Sequence, residues 1–126
     1  MYKIKRNIYL SIRVLLCIML LLSLAGCFEL KEIDDIDFTT VKSGEYLGED
    51  SNSLVSVKVS VEVEQPLVKS IKILEHDCGR GKKAESIIDS VISKQSLKVD
   101  AVSGATLSSN VILKAIENAL KKGIHQ

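Results

Sequence analysis

The stretch Asp100-Ala101-Val102-Ser103-Gly104-Ala105-Thr106 gathers the residues in this chain best suited to chemistry. Ser103 and Thr106 offer hydroxyls, while Gly104 and Ala105 let another molecule approach the backbone closely. An amphipathic pattern follows from Ser108, where Ser108 and Ser109 add two more hydroxyl donors. A helix starting there turns its free N–H groups and positive dipole end toward the loop, a suitable seat for a phosphate. Asp100 is electrostatically unhelpful to a bound anion. The same residue types also build ordinary turns and helix caps, so composition alone leaves both readings open.

A second constellation runs His76-Asp77-Cys78-Gly79-Arg80-Gly81-Lys82-Lys83-Ala84-Glu85. Gly79 and Gly81 permit a tight turn whose amides can face a phosphate or an aromatic ring. The plainer alternative is a loop entering a helix, with Arg80, Lys82 and Lys83 solvated and His76 structural. No paired carboxylate or nucleophile–base spacing appears, so a hydrolytic or group-transfer centre is not expected.

Both segments need elements to hold them. Gly44 to Glu49 reads as a short strand. From Ser53 to Glu64, Val55, Val57, Val59, Val61 and Val63 alternate with polar residues, predicting a strand with one buried face. Glu64-Gln65-Pro66-Leu67 reads as a turn. Val68 to Glu75 returns as a third strand, with Ile71 and Ile73 inward and Ser70 and Lys72 outward. Apolar residues at helical spacing predict helices over 82–94 (Ala84, Ile87, Ile88, Val91, Ile92) and 108–122 (Ile112, Ala115, Ile116, Ala119, Leu120). Ser96 to Val99 is a candidate short strand between them. The expected domain, residues 44–126, is α+β: a small antiparallel sheet with two amphipathic helices on one face, in the order β-β-β-α-(β)-α.

The N-terminus has a different character. Lys3, Lys5, Arg6 and Arg13 precede an apolar run, Val14 to Leu24, that suits a signal peptide and is short for a membrane span. The run ends in Leu24-Ala25-Gly26-Cys27, which resembles the lipobox of bacterial lipoproteins. That resemblance implies a signal peptide over 1–26, lipidation of Cys27 and a domain held at the membrane outside the cytoplasm. The alternative is an uncleaved anchor helix from about Ile8 to Ala25; both export the rest of the chain. Residues 27–43, rich in Glu and Asp, read as an acidic tether. The chain carries 17 basic and 16 acidic residues. With the signal's four basic residues removed, the rest is mildly acidic and offers no basic surface for nucleic acid. Cys17 and Cys27 belong to the leader, leaving Cys78 without an internal disulfide partner, and no CxxC pair suggests a zinc site.

Residues 100–106 also resemble, without a gap, the flavinylation motif of the FMN-binding domain family. Its members are subunits of sodium-pumping NADH:quinone reductases, related electron-transfer complexes and surface flavolipoproteins. The resemblance spans about Gly44 to Lys122 and implies that Thr106 carries FMN through a phosphoester bond. It implies maturation by a flavin transferase that uses FAD and a divalent metal, with Asp100 part of the recognised motif. Ser103, Gly104, Ala105 and Ser108 become cofactor-side residues. His76, Gly79 and Gly81 resemble a loop that faces the flavin, although the proline common there in larger members is missing.

The implied activity is electron carriage without a catalytic site of the chain's own, between a membrane donor and an unknown acceptor. Two alternatives stand beside it: a structural or binding lipoprotein without flavin, and an accessory flavin subunit of a separate reductase.

Overall fold

The computed structural model describes residues 2–23, 30–77 and 81–124. Helix α1 spans Tyr2–Ser23. The strands are β1 (Gly44–Ser51), β2 (Ser56–Glu64) and β3 (Leu67–Asp77), and the remaining helices are α2 (Ile87–Lys94) and α3 (Thr106–Ile124). The strands form one antiparallel sheet in the order β1-β2-β3. Helix α3 packs on β1 and β2, and α2 packs beside β3. The α+β expectation holds.

The valines of β2 explain the layering. Val57, Val59, Val61 and Val63 all point to the covered face and are buried. They meet Val111, Ile112, Ala115, Ile116, Ala119 and Leu120 of α3, also buried. Burial of each valine, isoleucine or leucine among them contributes roughly 1.5–3 kcal/mol. Gly48 lets α3 come down onto β1: a Cβ there would lie 2.0 Å from the Ala115 carbonyl oxygen.

Strand β3 departs from simple alternation. Register shifts fall between Lys58 and Val59 and between Glu62 and Val63 of its partner β2. Each leaves an extra residue on β3 and moves the inward set to Val68, Ile71, Ile73 and His76. His76 therefore lies opposite Val57, with its side chain only 3% exposed.

Three sequence expectations need correction. Ser96 to Val99 is not a strand. The β3 edge is occupied instead by the Gln95 side-chain amide, which accepts from Val68 N at 2.8 Å and donates to Val68 O at 2.9 Å. Leu97 then plugs into the core. The first domain helix begins as a 3-10 segment, Gly81–Ser86, before α2 proper. The described part of the supposed tether is a strap laid along the domain, with Ile36, Phe38 and Val41 buried.

Hydrogen bonds from one face of α3 secure that strap. Asn110 accepts from Lys31 N at 2.9 Å and donates to Lys31 O at 2.7 Å. Lys114 Nζ donates to Glu32 O at 3.0 Å. Glu117, fully buried, accepts from Asp34 N at 3.1 Å and pairs with Lys114 at 2.9 Å and Lys121 at 2.5 Å. Lys121 also reaches Asp34, at 2.5 Å. At the strap's end, Lys42 N donates to Gly123 O at 3.3 Å.

Apolar side chains of α1 are exposed all around the helix. No helix among the described residues is long and apolar enough to cross a membrane. The lipobox with Cys27 lies outside the described residues.

Candidate functional site

Residues 100–106 form a turn that runs directly into α3. Ala105 N donates to Val102 O at 2.9 Å, closing the turn. Gly104 sits at φ +74°, where a side chain is disfavoured by roughly 1–2 kcal/mol. Ser109 fastens the loop from within: its Oγ accepts from Val102 N at 3.0 Å and donates to Ala105 O at 2.8 Å. The first helical bond, Ser109 N to Ala105 O, measures 2.9 Å.

The helix thus starts at Thr106, two residues earlier than the periodicity predicts. Thr106 is its first residue rather than part of the approach to it. Its side chain is exposed, and Ser103, Gly104 and Asp100 share that exposure. Among the described residues, the Thr106 hydroxyl and the amides of Thr106, Leu107 and Ser108 have no protein hydrogen-bond partner. Free amides at a helix start attract an anion. Ala105 and Ser108 are buried. Ser108 is 4% exposed and Ser109 fully buried, whereas the Ser103 hydroxyl faces solvent.

The two sides of Thr106 differ. Toward the 3-10 segment, Lys83 brings its ammonium over the loop: Nζ lies 2.6 Å from where a Gly104 Cβ would stand. On the other side opens a groove of about 290 Å³ that Thr106 itself borders. Leu30 and Ile33 of the strap line it together with Leu97, Val99, Ala101 and Leu113. Lys98 and Asn110 complete the lining. Lys98 pairs with Asp35 of the strap at 2.9 Å. Its size is near the lower end of small-molecule pockets, about 300 Å³. A larger hollow of about 470 Å³ lies on the open sheet face, far from the motif in character. It is lined by Glu45, Glu62, Glu64, Lys69 and Lys72, with Lys69 paired to Glu62 and Glu64.

The structure does not bring His76 to the surface. Its Nδ1 lies 2.9 Å from Glu85 Oε1, and its buried Nε2 has no partner among the described residues. Gly81 opens the 3-10 segment. Gly79, with Cys78 and Arg80, lies outside the described residues. No His, Cys, Asp and Glu group among the described residues is arranged to hold a metal ion.

Sequence reasoning missed Leu30, Ile33, Lys83 and Lys98 as neighbours of the motif. Lys83 had a signal, its place one turn past the Gly79 and Gly81 loop. The strap residues had none, because nothing local links residue 30 to residue 106.

An exposed, unengaged threonine at a helix start, in a fixed small-residue loop beside an apolar groove, defines an α+β domain equipped to hold a phosphate-bearing ligand. The model of the FMN-binding domain family matches residues 51–121, more than half of the chain, and the chain belongs to that family. No curated protein and no solved structure matches it.

Proposed function

We propose that Thr106 carries FMN covalently and that the protein is an electron carrier held at the outer side of the cell membrane by a lipid on Cys27. The observation that carries this reading is the placement of Thr106. It is the terminal residue of the seven-residue motif, lies within the family match, and presents its hydroxyl at the helix start with no protein partner among the described residues. The local chemistry suits FMN. The free α3 amides and Lys83 favour its phosphate, and the adjoining groove is apolar enough for a flavin ring.

Attachment is a phosphoryl transfer. The Thr106 Oγ1–P bond forms, the pyrophosphate bond of FAD breaks, AMP leaves, and the hydroxyl proton is lost. A threonine hydroxyl is a weak nucleophile at neutral pH, so a separate flavin transferase with its divalent metal supplies the activation. Once bound, FMN supplies one- and two-electron transfer; the protein supplies position and tuning. Gly104 gives the phosphate room, Ser109 keeps the loop in shape, and the dipole of α3 orients the diester with about 0.3–1 kcal/mol. Asp100 serves the transferase as part of its recognition motif.

A covalent bond has a clear use outside the cytoplasm. Even a nanomolar site, worth about 12 kcal/mol, empties when free ligand is diluted far below that level. The electron donor is a membrane component, and the acceptor lies beyond it.

The test is co-expression with a competent flavin transferase. The denatured protein is expected to retain flavin fluorescence and to weigh one FMN more, less one water. Thr106→Val should lose both signals while keeping its fold. A wild-type protein that stays colourless under these conditions overturns the reading.

A further inference from the structure

We propose that the strap preceding the family domain forms one wall of the flavin's ring pocket, so that the isoalloxazine attached at Thr106 lies between Leu30 and Ile33 on one side and Leu97 and Val99 on the other. This rests on the Thr106–FMN reading and extends it to residues that the family match, 51–121, does not include.

Three observations converge. Thr106 borders the groove, so a ring tethered there begins beside it. The chemistry around Thr106 is divided as FMN is divided. A cation stands over Gly104 on one side, suited to phosphate, and apolar side chains line the other, suited to a ring. Lys98 at the groove provides a charge for the polar edge of the flavin. Finally, Leu30 is half exposed while Ile36, Phe38 and Val41 of the same strap are buried, yet its backbone neighbourhood is fixed by the reciprocal Asn110–Lys31 bonds. A large apolar side chain held rigidly at a groove's lip gains burial when a flat ring enters. The strap is also fastened by Glu117 and Lys121 through Asp34, so the wall exists before the ligand arrives.

The chain has no tryptophan, which permits a direct test in the full-length flavinylated protein. Leu30→Trp places an electron-rich indole on the proposed wall. Because Leu30 is half exposed, the fold should tolerate it. Flavin emission is expected to fall several-fold relative to wild type and to recover when both proteins are denatured. Leu47→Trp, on the open sheet face, should leave emission unchanged. Ile33→Ser should lower flavin fluorescence anisotropy and raise its quenching by iodide. Intact mass is read first on each sample. An FMN adduct on the Leu30→Trp protein with wild-type emission overturns the strap wall and leaves the Thr106 reading standing. Wild-type protein without an adduct overturns both.

Discussion

Two polar side chains on α3 meet opposite fates. Glu117 is fully buried, and its carboxylate is engaged by Lys114, Lys121 and the Asp34 amide. Thr106, three turns earlier, is exposed, and its hydroxyl engages no protein group among the described residues. A buried charge left unpaired costs several kcal/mol, so Glu117 is surrounded by partners. An exposed hydroxyl carries no such demand. What sets Thr106 apart is the rigidity of its frame: Ser109, one turn on, holds Val102 and Ala105 in place. One residue fastens chain to chain, while the other is kept in position and left open.

The sharpest way to break this contrast is at Thr106. Thr106→Val should abolish covalent flavin altogether, read by mass, while the melting temperature stays within a few degrees of wild type. Glu117→Leu should do the reverse. Flavin remains attached, and stability falls by about 2 kcal/mol or more, measured by urea unfolding. The loss stays below the roughly 3–5 kcal/mol of a fully enclosed pair because Lys114 and Lys121 can turn to water. Ser109→Ala separates frame from attachment. It removes two hydrogen bonds and leaves Val102 N unpaired, so a loss of about 1–3 kcal/mol is expected. Slower flavinylation should accompany it. A Ser109→Ala protein that matches wild type in both would show that the loop needs no internal fastening.

The smallest effect is pH-dependent. The hydrogen bond and charge of Lys121 hold Asp34 below its ordinary value. Its contribution to strap docking is therefore complete above about pH 4 and fades as pH falls through the lowered folded value. The Asp34 and Glu117 carboxylates push Lys121 up. That contribution is complete below the ordinary lysine value, and is lost only as pH rises through the raised one. Both groups are solvent-facing, so the change is modest. Hydrogen exchange at strap amides across the acid range should detect it, and Lys121→Met should flatten the response.

How much could be read from the chain follows from how local each feature is. The β2 valines alternate without interruption, so that strand and its buried face were plain. The motif's small residues and hydroxyls were equally plain, because they are contiguous. His76 is obscured by the register shift opposite Lys58 and Val59, which reverses its side relative to Ile71 and Ile73 and can be seen only once β2 is paired. The strap reads as a tether because its four acids, Glu32, Asp34, Asp35 and Asp37, break any periodic spacing of its apolar residues. Ile36, Phe38 and Val41 find their places through contacts with elements far along the chain. Gln95 escaped notice because a side-chain amide stood in for a strand. The family resemblance pointed to Thr106, but only the fold placed Leu30, Ile33 and Lys83 around it.

Gly48 has a mechanical consequence. Where a helix usually rests on a cushion of side chains, α3 bears directly on the β1 backbone, with no clearance for even one methyl group. A second bearing lies near its far end, where Lys42 meets the Gly123 carbonyl. Thr106 lies about 14 Å along the axis from the first bearing, and Ser108, Ser109, Val111 and Ile112 are buried between the two. A methyl group at Gly48 would have to lift the helix and disturb the packed contacts that hold its Thr106 end. The placement of Thr106 therefore depends on the absence of a side chain at Gly48, on the covered face of the sheet and well away from the motif.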